Sequence, residues 1–235
     1  MSASRDWVAL GLGEILHMRG AEVIGPVGRA DAVPGALSVR VGEGAPAILP
    51  APVLPTSGEL LPGLVQDDPT DVIGARVRLW IAGYLATHAR WDGVICAIDG
   101  DISHWVHVSA DEAVSSQSFL TPRLVQALGG GDHPDMTALA DSLSRPERLA
   151  AQLRAAEIRG DGAAMTGHLI GAELAAARPY WLGQRVAVIG SGTLPAGYAT
   201  ALDAQGVPAE CDTSDPLLPA GLSALGRALG LSTAD

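Results

Sequence analysis

Lysine and asparagine are absent from the 235 residues, phenylalanine occurs once and cysteine twice. Each absence removes some chemistry. Without lysine there is no Schiff-base amine, no lysine general base and no phosphate loop of the type that ends in Gly-Lys-Ser/Thr. All 15 basic residues are arginines, set against 26 acidic ones for a formal net charge of -11. A biased codon usage accounts for the missing lysines without any functional cause. An acidic chain with no basic stripe argues against nucleic acid, whose backbone is held mainly by cationic contacts. No run of about 18 apolar residues is present to span a bilayer, and the start, with Asp6, lacks the apolar stretch of a secretory signal, so a cytoplasmic protein with no membrane partner is expected. Cys96 and Cys211 lie far apart in strand-like apolar runs and read as buried free thiols of a reducing compartment. The six histidines show no zinc spacing, and His104 and His107 would point to opposite faces of a strand. No Gly-x-Ser-x-Gly elbow is present, so hydrolase readings rank low.

With 48% hydrophobic and 17% charged residues, the chain can bury a sizeable core in one or two domains. Residues 21–66 are punctuated by Gly25-Pro26, Val33-Pro34-Gly35, Leu49-Pro50-Ala51-Pro52 and Leu61-Pro62-Gly63, which predicts brief strands linked by turns and no long helix. From Pro69 the spacing turns helical, with Val72, Ile73, Val77, Trp80, Ile81, Tyr84 and Leu85 on one face; a helix to about Arg90 is expected, capped by Asp68 or Thr70. A three-stranded meander follows over 93–98, 103–108 and 114–119, turning first at Asp99-Gly100-Asp101. Helices are expected over 121–128, 134–143, 146–158 and 163–178. The close is strand 185–189, helix 194–205, strand 207–211 and helix 217–229, the order of a partly parallel sheet. A division into 1–68, mainly strands and turns, and 69–235 fits this pattern.

Several positions could carry chemistry. Arg185 to Ile189 runs into Gly190-Ser191-Gly192 and then a helix, a place where backbone N–H groups can face a phosphate. Three readings stay open there: a nucleotide loop, a purely structural turn, and a dinucleotide site with Glu210 or Asp212 as the ribose acid, the last opposed by Pro195 in the third glycine's position. Asp99 and Asp101 read as turn residues that cap their own backbone, with a catalytic or metal role as the alternative. Thr121 would serve as an N-cap ahead of Pro122. Arg76 and Arg78 form either an anion-binding face or solvated helix positions, and Arg123 suits a carboxylate.

Met-Thr-Gly-His-Leu-Ile-Gly-Ala-Glu-Leu at 165–174, Arg-Val-Ala-Val-Ile-Gly-Ser-Gly-Thr-Leu at 185–194 and Tyr-Ala-Thr-Ala-Leu at 198–202 together resemble the C-terminal half of the 2-dehydro-3-deoxygalactonokinases. The resemblance implies an α/β, ribonuclease-H-like (actin-like ATPase) two-lobe kinase fold, here with a reduced N-terminal lobe. It further implies ATP and Mg as cofactors and a 2-keto-3-deoxy sugar acid as substrate. Nucleotide-side positions would be Gly13, Gly190, Ser191 and Gly192; substrate-side positions Arg76, Arg78, Thr121 and Arg123; catalytic candidates Asp99, Asp101 and His104; no residue is assigned to a metal.

The chain departs from the family where charge matters. The family's Asp-Trp-Gly-Thr-Thr turn is here Gly11-Leu12-Gly13-Glu14-Ile15, so Gly11 cannot hold a metal and Glu14 sets a like charge near a phosphate. Its Pro-Gly-Thr-His-Ser-Lys-Trp has become Asp99-Gly100-Asp101-Ile102-Ser103-His104-Trp105. Arg123 stands in place of an acid, and both family glutamates are lost around Arg76 and Arg78. The expectation is a shortened, divergent kinase with lost or weakened catalysis. A non-catalytic ligand-binding or regulatory pseudo-kinase on the same fold is the alternative, and a dinucleotide-binding protein a weaker one. The expected partner is a small sugar acid or other anion, with homo-oligomerisation left open.

Overall fold

Trp7, Val8 and Ala9 are wholly buried in β1 (Asp6–Leu10), because an apolar strand at the centre of a sheet covers both its faces. The computed structural model describes residues 4–232. β1 pairs antiparallel with β2 (Ile15–Arg19), which pairs with β3 (Glu22–Val27), while β4 (Leu37–Val41) lies parallel on the other side of β1. The Pro- and Gly-rich stretch forms the expected short strands: β5 (Ala47–Ile48), β6 (Ala51–Pro52), β7 (Leu60–Leu61) beside β4, and β8 (Leu64–Gln66).

The helix expected from Pro69 begins later. Residues 71–73 form β9 (Asp71–Ile73), antiparallel to β8 with Leu64 opposite Ile73, and α1 (Ala75–Thr87) starts after Gly74. Neither Asp68 nor Thr70 caps it. Thr70 Oγ1 donates to the Asp67 carbonyl, and Asp71 Oδ1 accepts from the Val72 N–H. Three residues fit a strand as well as a helix, and here pairing with β8 decides.

Two compact units organise the chain. The elements so far belong to the first, which takes the chain up to Trp91, Ser109–Ser115 and the residues from Ser214. The second comprises Asp92–Val108 and Ser116–Thr213. The meander appears as expected: β10 (Gly93–Asp99), β11 (Ile102–Ser109) and β12 (Glu112–Phe119). Four helices follow, α2 (Thr121–Ala127), α3 (Met136–Ser144), α4 (Leu149–Arg159) and α5 (Gly162–Ala176), and then a single turn, α6 (Arg178–Trp181). β13 (Val186–Gly190), α7 (Leu194–Asp203) and β14 (Ala209–Thr213) complete it. Strand order in this unit is β14-β13-β10-β11-β12, with β14, β13 and β10 mutually parallel and β11 antiparallel to β10.

α5 packs on this sheet through Ile170 and Leu174, within a core that includes Cys96, Trp105, Val188 and Tyr198. α3 comes very close to it: a Cβ on Gly167 or Gly171 would run into the carbonyl oxygens of Asp135 and Leu139. The chain returns to the first unit as α8 (Ser214–Ala228), where Gly83 and Gly221 allow α1 and α8 the same close approach. Leu222 and Leu225 of α8 join Trp7, Val39, Leu61 and Leu79 in that unit's core. Of the two cysteines, both free, Cys96 is buried as expected but Cys211 is exposed, because β14 ends the order of the sheet and one face of it meets solvent. No helix among the described residues is long and apolar enough to cross a membrane.

Candidate functional site at the carboxyl edge of the parallel strands

Ile98 of β10 lies opposite Gly190 of β13, and Gly190 opposite Thr213 of β14. Beyond these residues β10 opens into Asp99-Gly100-Asp101 and β13 into Ser191-Gly192-Thr193 and α7. Ligands of sheets with parallel strands bind outside the carboxyl ends of those strands. The second unit therefore brings Asp99, Asp101, Gly190, Ser191 and Gly192 to one edge, with Ser191, Gly192 and Thr193 exposed. Gly190 itself is buried. A Cβ there would sit 2.9 Å from Pro195 Cγ and 3.0 Å from the Ile98 carbonyl oxygen, so the glycine lets α7 pack its first turn against the strand. Gly192, at φ +81, leaves open space around it.

Arg123 joins the same edge. Its backbone N–H donates to the Asp101 carbonyl at 3.1 Å and its Nε to Asp101 Oδ2 at 3.1 Å, tying the start of α2 to the turn after β10. Asp101 thus engages a neighbouring arginine and does not simply cap its own turn. His104 is buried on β11 with Nδ1 2.6 Å from Ser118 Oγ, on the strand face opposite Ser103 and Trp105.

The expected N-cap role of Thr121 does not hold. The capping position belongs to Leu120, with no side-chain cap bond, and the buried Thr121 hydroxyl bonds to Glu173 instead. Glu173 is 3% exposed on α5. Its Oε1 accepts from Ser103 Oγ and Trp105 Nε1, both at 2.8 Å, and its Oε2 from Tyr198 OH at 2.7 Å. Burial raises its pKa, while the bonds from Thr121, Trp105, Tyr198 and Ser103 pull the other way. Burial, and next the Glu173 charge, push the Tyr198 hydroxyl and the Cys96 thiol well up. Sequence reasoning assigned Glu173 no role, although it is the single acid in an otherwise largely apolar α5, a signal that could have marked it.

The remaining positions lie in the first unit. Gly11 (φ +91) and Gly13 (φ +89) shape the turn after β1; a Cβ on Gly11 would run into the Val41 carbonyl oxygen, whereas Gly13 faces open space. Glu14 is exposed beside them, as is Arg76 on α1. Arg78 is buried and donates to three backbone carbonyls: Nε to Val53 at 2.7 Å, Nη1 to Pro62 at 2.8 Å and Nη2 to Pro52 at 2.9 Å.

Residues 135–225, which include Glu173, the Gly190 turn and Tyr198, match the family model described as 2-keto-3-deoxy-galactonokinase. Over this stretch the chain is similar to that family. Among solved structures, a protein from Sinorhizobium meliloti titled a 2-dehydro-3-deoxygalactonokinase superposes with a TM-score of 0.74 at 21% identity, covering 95% of this chain and 98% of the other. That likeness gives the 2-keto-3-deoxy-galactonokinase relative and this chain one fold, the actin-like class expected from the sequence. EutJ, an ethanolamine utilization protein of Carboxydothermus hydrogenoformans, aligns more loosely, at 14% identity and a TM-score of 0.41 over 94% of this chain and 89% of its own. Component A of the Acidaminococcus fermentans (R)-2-hydroxyglutaryl-CoA dehydratase gives 13% identity and 0.38 over 63% of this chain and 66% of that one. No curated protein sequence matches.

Proposed function

We propose that the chain keeps the nucleotide- and anion-holding edge of a sugar-acid kinase and has lost phosphoryl transfer at its first turn. Gly11 carries this reading. β1 and β4 pair in parallel, with Leu10 opposite Arg40, so that Val41 comes alongside Gly11. Its carbonyl fills the space where a Cβ would stand. No carboxylate fits at the place where the resembling kinases have aspartate, and no side chain of any kind does. Magnesium held from position 11 is therefore at odds with this backbone. Among the described residues no group of three or more His, Cys, Asp or Glu is arranged to hold a metal ion.

The edge of the second unit suits a phosphate better. An exposed glycine turn leads into the ten-residue α7, whose first N–H groups and dipole favour an anion. ATP held there would supply the transferable phosphate. Arg123, engaged with Asp101 through Nε, keeps its terminal amino groups for the carboxylate of a sugar acid. Calorimetry with Mg-ATP and with 2-keto-3-deoxygalactonate, beside coupled ADP release, tests the reading. Binding without turnover is expected. A turnover number of about 1 s⁻¹ or more, the ordinary kinase range, overturns the loss of catalysis, and failure of both compounds to bind overturns the retained site.

A further inference from the structure

We propose that Glu173 is a positioning residue: its carboxylate holds α7 and the start of α2 to β11, and so sets the Asp99–Asp101 turn and the Gly190–Thr193 turn in fixed relation to one another. Four donors from three elements converge on it, two from β11, one from α2 and one from α7. Each lies within a few residues of the edge. Ser103 follows Asp101 by two positions, and Thr121 precedes by two Arg123, which bonds Asp101 through both backbone and side chain. Tyr198 stands one turn into α7, the helix that begins at the glycine turn. α7 is short and stiff, so a fixed Tyr198 fixes the path of the turn before it.

Packing alone does not call for a carboxylate here. Trp105 and Tyr198, which bond Glu173, belong to a core with Cys96, Ile98, Ile170 and Leu174, and in such a core an apolar side chain of similar volume avoids the cost of burying a charge. None of the four bonding partners carries a charge that would offset that cost. What the carboxylate adds is direction: bonds of 2.7 and 2.8 Å to an anion are short and angular, where apolar contacts are not. The consequence for ligands rests on the phosphate-holding reading of the edge, whereas the positioning itself does not.

The test compares Tyr198→Phe, Thr121→Val and Glu173→Gln with the parent chain by amide hydrogen exchange and by Mg-ATP titration. Tyr198→Phe should speed exchange over 191–197 by about tenfold or more, the factor that loss of one hydrogen bond to a charged group corresponds to, with α3 and β10 unchanged. Thr121→Val should do the same over 99–102 and 121–124. Glu173→Gln keeps the shape and Oε1 and should mainly release the Tyr198 side. Exchange at both turns within twofold of the parent in all three variants overturns the proposal, as does acceleration spread evenly over the second unit, which would mark a merely structural role. If the parent binds Mg-ATP, Tyr198→Phe should weaken it by a similar factor, and unchanged affinity refutes the link to the ligand. If the parent does not bind Mg-ATP, the nucleotide reading falls and the exchange pattern still decides the positioning.

Discussion

Replacing Arg78 with alanine should cost the first unit about 4 to 5 kcal/mol. The guanidinium is buried, and its three bonds go to the backbone carbonyls of Val53, in a buried bond, and of Pro52 and Pro62, in bonds that water partly reaches. A stranded buried acceptor costs about 1–3 kcal/mol. Taking the upper part of that range for Val53 and about 1 kcal/mol for each of the two wetter carbonyls gives the estimate. Burial pulls the guanidinium's pKa down to about 10, so at neutral pH it remains charged, and the desolvation it suffers offsets part of what the bonds return. Urea unfolding followed by tryptophan fluorescence measures the difference. Arg78→Lys is the informative companion, because a single ammonium cannot reach three carbonyls in a fork and should recover less than half of the loss. If Arg78→Ala lies within about 1 kcal/mol of the parent, the ordinary range of a surface change, the three bonds do not hold the segment and the reasoning is wrong.

The turn after β1 offers a paired test: Gly11→Ala should destabilise by roughly 3 kcal/mol or more, from positive φ and the Val41 carbonyl together, and Gly13→Ala by only about 1 kcal/mol from φ alone; equal melting temperatures would contradict the difference in their surroundings. Because burial raises Glu173 above its ordinary 4.5, the folded state takes that proton more readily than the unfolded chain. Its contribution is full below about 4.5 and is lost as pH rises through the raised value. Urea midpoints from pH 4 to 8 should therefore converge at low pH for the parent and Glu173→Gln and separate above it; parallel curves would rule this out. Arg123→Ala should change stability by less than about 1 kcal/mol, since its bond to Asp101 is half exposed, and a larger loss would make that pair structural.

Much of the second unit was legible because its strands are long enough to show their period. β10 is apolar over six consecutive residues from Gly93 to Ile98, as a strand covered on both faces must be, and the glycine turn after β13 marks the strand's end plainly. β9 was not legible: Val72 and Ile73 fit the helical face begun by Val77 just as well, and only pairing with β8 separates the two. That α8 joins α1 in the first unit is a tertiary fact that linear order does not convey. At the edge, Asp99, Asp101, Arg123 and the Gly190 turn could be named in advance because turns announce themselves in glycine and aspartate. Glu173 stood inside a quoted motif without a role. Its meaning depends on donors 70, 68 and 25 positions away, a separation at which no local pattern operates.

Arg78 also bears on how the Pro-rich stretch can change. Pro52 and Pro62 bring carbonyls but no N–H of their own to a ladder, and the arginine takes up both, ten residues apart, from one helix position. It works as a staple closing a loop at its neck. Between the two grips the chain around Thr56-Ser57-Gly58 is open to solvent, while the Glu59 carbonyl already accepts from the Arg40 N–H of β4, so composition at the tip is uncoupled from the packing below. An inserted tag or reporter peptide belongs at Ser57-Gly58, where the neck stays shut whatever the loop carries.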